Sequence, residues 1–349
     1  MQHWRWVAAC GMSAIVTFLP CERPASAEIA SPQATTAARE IATIQPSEAV
    51  ESFEKTFGVH RGLRRNHAKG TCASGEFVGA TVAQEWSRSA LFQGDRIPVL
   101  ARFSVGGGNP AVADVDSALP RGMALEFRLP GDTLQHMTMV NIPIFGAATP
   151  ASFNDALVAA RADPETGRPD PKRLNAYMAS HPDAHPLAEW SRHHRPTASY
   201  YQSIYYGIHA FLFVDVQGIS HPVRWRFVPR DGVKELSAAE MASVPHDFLE
   251  SGLIEKLRKG AVLWDMVVYI GEPGDPIDNP SVAWPESRRH FVAGTLSLSS
   301  ATPQHGAACE NINFDPLVMS DGIAPTNDPI LLFRSPAYAV SFGKRISGQ

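Results

Sequence analysis

The chain has 349 residues, 44% of them hydrophobic and 19% charged, the composition of a globular protein with a sizeable core. Its formal charge of −4 at pH 7 offers no basic surface of the kind that nucleic-acid binding needs, so nucleic acid is excluded as a partner. Past the first few dozen residues, no tract approaches the ~20 uninterrupted apolar residues of a membrane-spanning helix.

The N-terminus reads as an export leader over residues 1–27. Arg5 supplies the positive start, Trp6 to Leu19 a short apolar stretch, and Ala25-Ser26-Ala27 a small-residue cleavage site. Pro20 before Cys21 is a poor lipoprotein processing site, so the expectation is a soluble exported protein, periplasmic in a Gram-negative host. Cys10 and Cys21 leave with the leader. Cys72 and Cys309 remain, free to pair in an oxidising compartment or to stay as buried thiols. Residues 28–45, rich in Ala, Ser, Thr, Gln and Pro without a period, predict a flexible leader. The folded domain is then 46–349.

Strand patterns dominate that domain: Val99 to Val105, Gly122 to Leu129, Gly207 to Val214, Pro222 to Val228, Trp264 to Ile270 and Phe291 to Leu298. Several alternate apolar with polar residues, as in "GMALEFRL" and "VRWRFV", which suits an antiparallel sheet or barrel. Helical patterns fall at Ser152 to Arg161, Leu187 to His194 and Ala238 to Lys259, the last broken near Pro245. Proline-rich connections such as "ADPETGRPDPKR" and "EPGDPIDNP" lie between. The fold class predicted is α+β, built on a barrel.

Two short stretches hold the chemistry. In "RRNHAKG", His67 sits in a basic run, either a solvated charge or a proton-transfer group. In "LLFRSPAYAV", Arg334 precedes Tyr338 by four residues, one helical turn. A guanidinium held against a phenol favours the phenolate, the form that ligates ferric iron. His193 and His194 lack the i, i+4 spacing of a helix-borne zinc site.

With "ARFS", "PRGMALEF", "NIPIF", "YGIHAF", "NFDP" and "GIAP", these stretches stand in the order and spacing of the haem catalases, over Phe53 to Arg345. The short chain and the "RSPAYAVSF" ending resemble most the catalase-related peroxidases, the minimal branch. The resemblance implies an eight-stranded antiparallel β-barrel with surrounding helices and no C-terminal helical domain. It also implies haem b as cofactor and peroxide plus a small-molecule electron donor as substrates. A homodimer is reasonable from the short members, although no segment here specifies an interface.

The resemblance further implies roles residue by residue. His67 would be the distal acid and base, and Ser104 would set its tautomer. Tyr338 would be the axial iron ligand, steadied by Arg334, with His209 and Asp328 behind that arginine. Arg64 and Arg102 would pair with the haem propionates. Phe153 would stack on the haem and Phe145 would line the distal pocket.

Three positions depart from the family. Val140 stands where catalases carry a distal asparagine, with Asn141 directly after it as a substitute amide if the backbone shifts. Asn66 replaces an apolar residue beside the distal histidine, and Leu119 replaces an aspartate near the access channel. These changes favour a peroxidase of organic hydroperoxides or hydrogen peroxide over a true catalase. A hydroperoxide isomerase and a non-catalytic haem or lipid carrier are the other readings.

Overall fold

The computed structural model describes residues 44–116 and 119–349. The expected export leader at 1–27, and all but the last two residues of the expected flexible segment at 28–45, lie outside them. Of those two, Ile44 is buried and the Gln45 amide donates to Glu48 Oε2 at 2.9 Å, starting helix α1 (Pro46–Phe57).

Eight antiparallel strands close a barrel. β1 (Gly70–Gly79), β2 (Arg96–Val105), β3 (Arg121–Arg128) and β4 (Leu134–Val140) pair in sequence. β4 pairs with β5 (Tyr205–Tyr206), and β5 with β7 (Ser220–Pro229). The ring continues through β8 (Val262–Ile270) and β9 (His290–Pro303), which returns to β1. β6 (Phe211–Val214) lies beyond β5 on the same edge of β7 and carries β10 (Ile323–Pro325) as an extension. Closure leaves the ring without a free edge.

The period-2 pattern puts Phe77, Val99, Ala101, Phe103, Leu125, Phe127 and Phe227 into the barrel interior, where they pack with Trp264 and Leu296. Along β2 the outward residues Arg96 and Pro98 are exposed, but Arg102 and Ser104 are buried. Something covers the outer face of the barrel from Arg102 onward, and that cover is where the functional residues gather.

The strand patterns of the sequence correspond to β2, β3, β7, β8 and β9 within a few residues. The stretch from Gly207 to Val214 departs from expectation. Only Phe211–Val214 of it forms a strand, β6, separated from β5 by a turn at Ile208, whose φ of +47° no strand accommodates. Helices α2 (Pro150–Ala159) and α4 (His185–His193) fall where the periodicity places them. The long pattern from Ala238 divides into α5 (Ala238–Ser243) and α6 (Phe248–Lys259), because Val244, preceding Pro245, is extended. Helix α3 (Pro171–Ser180) arises inside a stretch expected to be a connection. Asp170 caps it through the Lys172 amide at 2.9 Å, and Pro171 takes the first helical position, where its missing N–H costs nothing. The last helix, α7 (Pro329–Ile346), packs on α1 and supplies the cover of the barrel face. Among the described residues, no helix is long and apolar enough to cross a membrane.

Candidate active site

His67 lies just before β1 with φ +56°, a left-handed conformation uncommon for a side-chain-bearing residue. Asn66 holds it there: its Oδ1 accepts from the His67 amide at 3.0 Å and from the Gly107 amide at 2.8 Å. Asn66, the departure noted in the sequence, is therefore turned onto backbone. Arg102 Nη2 adds a bond to the His67 carbonyl at 2.7 Å. With its backbone clamped from both sides, the ring meets Ser104 Oγ at 2.9 Å through Nδ1.

Ser104 pairs with Gly122, and Gly122 with Val140, so the three form one row across β2, β3 and β4 on the same outer face. A Cβ on Gly122 would lie 2.7 Å from Ser104 Oγ and 3.1 Å from two atoms of the His67 ring. The glycine is what lets the imidazole lie against the strand. By register, Val140 shares the His67 face. Asn141, by contrast, extends the pairing of β4: its amide donates to the Arg121 carbonyl at 2.9 Å and its Oδ1 accepts from the Arg121 amide at 2.7 Å.

One row along the same face stand Cys72, Arg102, Ala124 and Thr138. Helix α7 crosses here. Arg334 Nη2 donates to Thr138 Oγ1 at 2.6 Å and to Tyr338 Oη at 2.8 Å. At the start of that helix, Asp328 Oδ1 caps the amides of Ile330 and Leu331 at 2.9 and 3.2 Å, while Oδ2 accepts from His209 Nδ1 at 2.7 Å. Asp328 and His209 are both fully buried. The positive φ of Ile208 turns His209 into this position, a strain retained where the surrounding structure over-determines it. His209 Nε2 is buried without a hydrogen-bond partner, and Arg334 is close enough to act on the ring's charge.

Three guanidiniums crowd the remaining side. Arg64 Nη2 donates to the carbonyls of Cys309, Glu310 and Ile312 at 3.3, 3.0 and 2.8 Å. Arg345, eleven residues and so about three helical turns beyond Arg334, donates to the Glu310 carbonyl at 2.7 Å. Arg102 Nη2 is held by Gln304 Oε1 at 2.6 Å. Among the described residues, none of the three makes an ion pair with a carboxylate. Burial, and then the neighbouring guanidiniums, push Arg64 well below the usual arginine range; burial does the same to Arg102 and Arg345. An arginine stays charged under such pressure, so the cluster calls for an anion the chain does not itself provide. Desolvation, reinforced by Arg102, Arg334 and Arg64, lowers His67 to about 3, which keeps the imidazole neutral.

Phe145 and Phe153 meet with ring centroids 5.1 Å apart, and Phe153 touches Phe53 of α1 at 5.8 Å. Phe57 and Leu119 flank Gly107, the residue that pins Asn66. Leu119 thus lies near the His67 loop, and an apolar surface runs beside it.

The structure brings His67 to Ser104 and Arg102, Arg334 to Tyr338, and His209 to Asp328. Arg64 and Arg102 are both within electrostatic reach of Tyr338. Reasoning on the sequence omitted Arg345, Thr138, Gln304 and Gly122. Arg345 was detectable from its helical spacing to Arg334. The other three act through strand register or a turn and leave no motif. His193 and His194 stay apart from all of this: His193 pairs with Glu189, and His194 stacks on Trp190.

The guanidinium cluster, with the neutral imidazole and the phenol held by Arg334 nearby, fits an anionic cofactor. The catalase family model matches residues 25–349, and the chain belongs to that family, whose members bind haem. It is 48% identical over 305 residues to a catalase-related peroxidase of Synechococcus elongatus, covering 87% of this chain and 90% of that one. A protein of the same name from Mycolicibacterium paratuberculosis is 33% identical, with 85% and 94% covered. Catalase A of Saccharomyces cerevisiae superposes with a TM-score of 0.75 at 22% identity. The chain spans only 62% of that catalase's length, and 82% of this chain is matched.

Proposed function

We propose that this chain is an exported peroxidase carrying haem b, which reduces organic hydroperoxides and hydrogen peroxide with an external small-molecule electron donor. The observation that carries the reading is His67, neutral and bonded through Nδ1 to Ser104, on the barrel face that Arg334, bonded to both Thr138 and Tyr338, reaches from α7.

Tyr338 would hold the iron and Arg334 would stabilise its phenolate, with Arg64, Arg102 and Arg345 taking the two propionates. Haem, once bound, would supply the redox centre that stores the two oxidising equivalents of the peroxide. The chain's own residues manage the protons. With Nδ1–H donating to Ser104, His67 Nε2 would keep a lone pair and take the proton of the hydroperoxide. It then gives that proton to the departing oxygen, so that an alcohol or water leaves. Positioned transfer of this kind is worth ~10²–10⁴ in rate. Two electrons and two protons from the donor complete the cycle.

Val140 favours peroxidase over catalase turnover. In the row Ser104–Gly122–Val140, on the face that carries His67, the last member is an isopropyl group with no amide to steady a second hydrogen peroxide. The Phe57 and Leu119 surface suits an apolar substituent on the peroxide. The Cys72–Cys309 disulfide supports export, since such bonds persist in oxidising compartments.

The test is to load the purified chain with haem and follow cumene hydroperoxide consumption, oxygen release and donor oxidation. Donor-dependent consumption with little oxygen release, abolished in His67→Ala at full haem content, is the expected result. Oxygen release matching hydrogen peroxide consumption would make it a catalase. Consumption that needs no donor would make it an isomerase. Unchanged turnover in His67→Ala would sink the assignment.

A further inference from the structure

The guanidiniums that meet the acidic edge of the cofactor rest on one short stretch of chain. Arg64 bonds the carbonyls of Cys309, Glu310 and Ile312, and Arg345 bonds those of Glu310 and Ile312 at 2.7 and 3.4 Å. That stretch is a run of turns between β9 and β10, with no strand or helix of its own. The backbone bonds that shape it are internal, from the Ala307 amide to the Gln304 carbonyl and from the Glu310 amide to the Ala307 carbonyl. An irregular segment of this sort does not by itself hold carbonyls in fixed positions.

Beyond its peptide continuity with β9, the stretch is tied covalently to the barrel by the disulfide between Cys309 and Cys72. Cys72 stands on β1 directly opposite Arg102, the third guanidinium of the cluster. Both cysteines are buried and pack with Phe314, Ile312, Ala307 and Ala124. One bond therefore lies beneath all three cations, joining the strand that carries one of them to the turn that seats the other two. Among the described residues none of the three makes a close ion pair, and the Glu310 carboxylate offsets only part of the repulsion between Arg64 and Arg345, so a covalent tie helps to hold them together.

Resting on the haem reading above, we infer that Cys72 and Cys309 are a positioning pair: their disulfide sets the guanidiniums that grip the cofactor's two carboxylates. Forming the bond removes two electrons and two protons from the thiols, passed by exchange to a disulfide oxidant of the export compartment. Because both cysteines are buried in the folded chain, the bond is made during folding, and the grip on the cofactor matures with export.

The test compares the full chain with its Cys72→Ala/Cys309→Ala variant, each loaded with iron protoporphyrin IX or with the dimethyl ester that lacks both negative charges. Transfer of each porphyrin to excess apomyoglobin is timed. Release of the native porphyrin is expected to be ~10–100-fold faster from the variant, with ester release the same from both chains. Equal retention of the native porphyrin by both chains would overturn the inference, as would equal acceleration of both porphyrins, which would mark general loosening. If the alanine pair does not fold, a Cys72→Val/Cys309→Val pair that refills the site is read by the same ratio. A wild-type chain that takes up neither porphyrin would overturn the haem reading and this inference with it. A wild type that holds haem no better than the folded variant would overturn this inference alone.

Discussion

Gly122 stands so close to His67 that the Cβ it lacks would lie 3.1 Å from both Nδ1 and Cε1 of the imidazole. The backbone there is a paired barrel strand and cannot retreat, so a methyl group must displace the ring or the Ser104 hydroxyl. Gly122→Ala is expected to lower kcat/KM for hydroperoxide by ~100-fold, in line with the cost of misplacing a catalytic group by about an ångström. Steady-state kinetics alongside a far-ultraviolet circular dichroism melt would check it, with the fold retained while activity falls.

Val140 occupies the same row, on the His67 face. Val140→Asn places an amide where hydrogen peroxide would be steadied. Oxygen release from hydrogen peroxide should rise by ~10-fold or more, the order of gain from one well-placed donor. Turnover of cumene hydroperoxide should rise far less. An oxygen electrode reads the first and donor oxidation the second; parallel changes in both would contradict this account of Val140.

Asp328 serves two elements with one carboxylate, capping α7 and bonding His209. Asp328→Ala removes the cap and leaves a buried N–H unsatisfied, a loss of about 2–4 kcal/mol of stability. Urea unfolding of the haem-free chain measures it. Asp328→Asn, which keeps an oxygen for the cap, should lose less.

Acid should weaken the haem-free fold through its buried histidines. Burial lowers His67 to about 3, and burial also lowers His136 and His209. In the unfolded chain a histidine titrates near ~6.5. Between that pH and the lower folded value, the unfolded state binds more protons. The contribution of these groups is therefore complete above ~6.5 and is lost as pH falls below it, for His67 down to about 3. Urea midpoints at pH 7.5 and 4.5 should differ, and the difference should shrink in His67→Gln. For the loaded enzyme, kcat/KM should show no His67-linked loss between pH 5 and 8.

Much of this was open to reading in the residues, because the barrel strands follow strict alternation and Arg334 and Tyr338 sit one helical turn apart. The boundaries of β2, β3, β7, β8 and β9 follow from that period. What escaped depends on pairing rather than on local pattern. The turn around Ile208 depends on a positive φ in a β-branched residue, which no propensity anticipates. The place of Val140 against His67 is visible only once the register of three strands is known. Gln304 meets Arg102 across a separation of 202 residues. Helix α3 hid behind its prolines, one of which is a helix start.

The site has a floor and a cover of unequal durability. Its floor is the outer face of a closed hydrogen-bonded ladder, so the amides around Arg102, Ser104, Gly122 and Ala124 belong to the part of the molecule that exchanges with solvent only on global opening. Its cover is a single C-terminal helix anchored at one end by Asp328 and at the other by Arg345. Lifting that helix would free a bound cofactor while the barrel stayed intact. Loss of the cofactor and loss of the fold would then be two separate events.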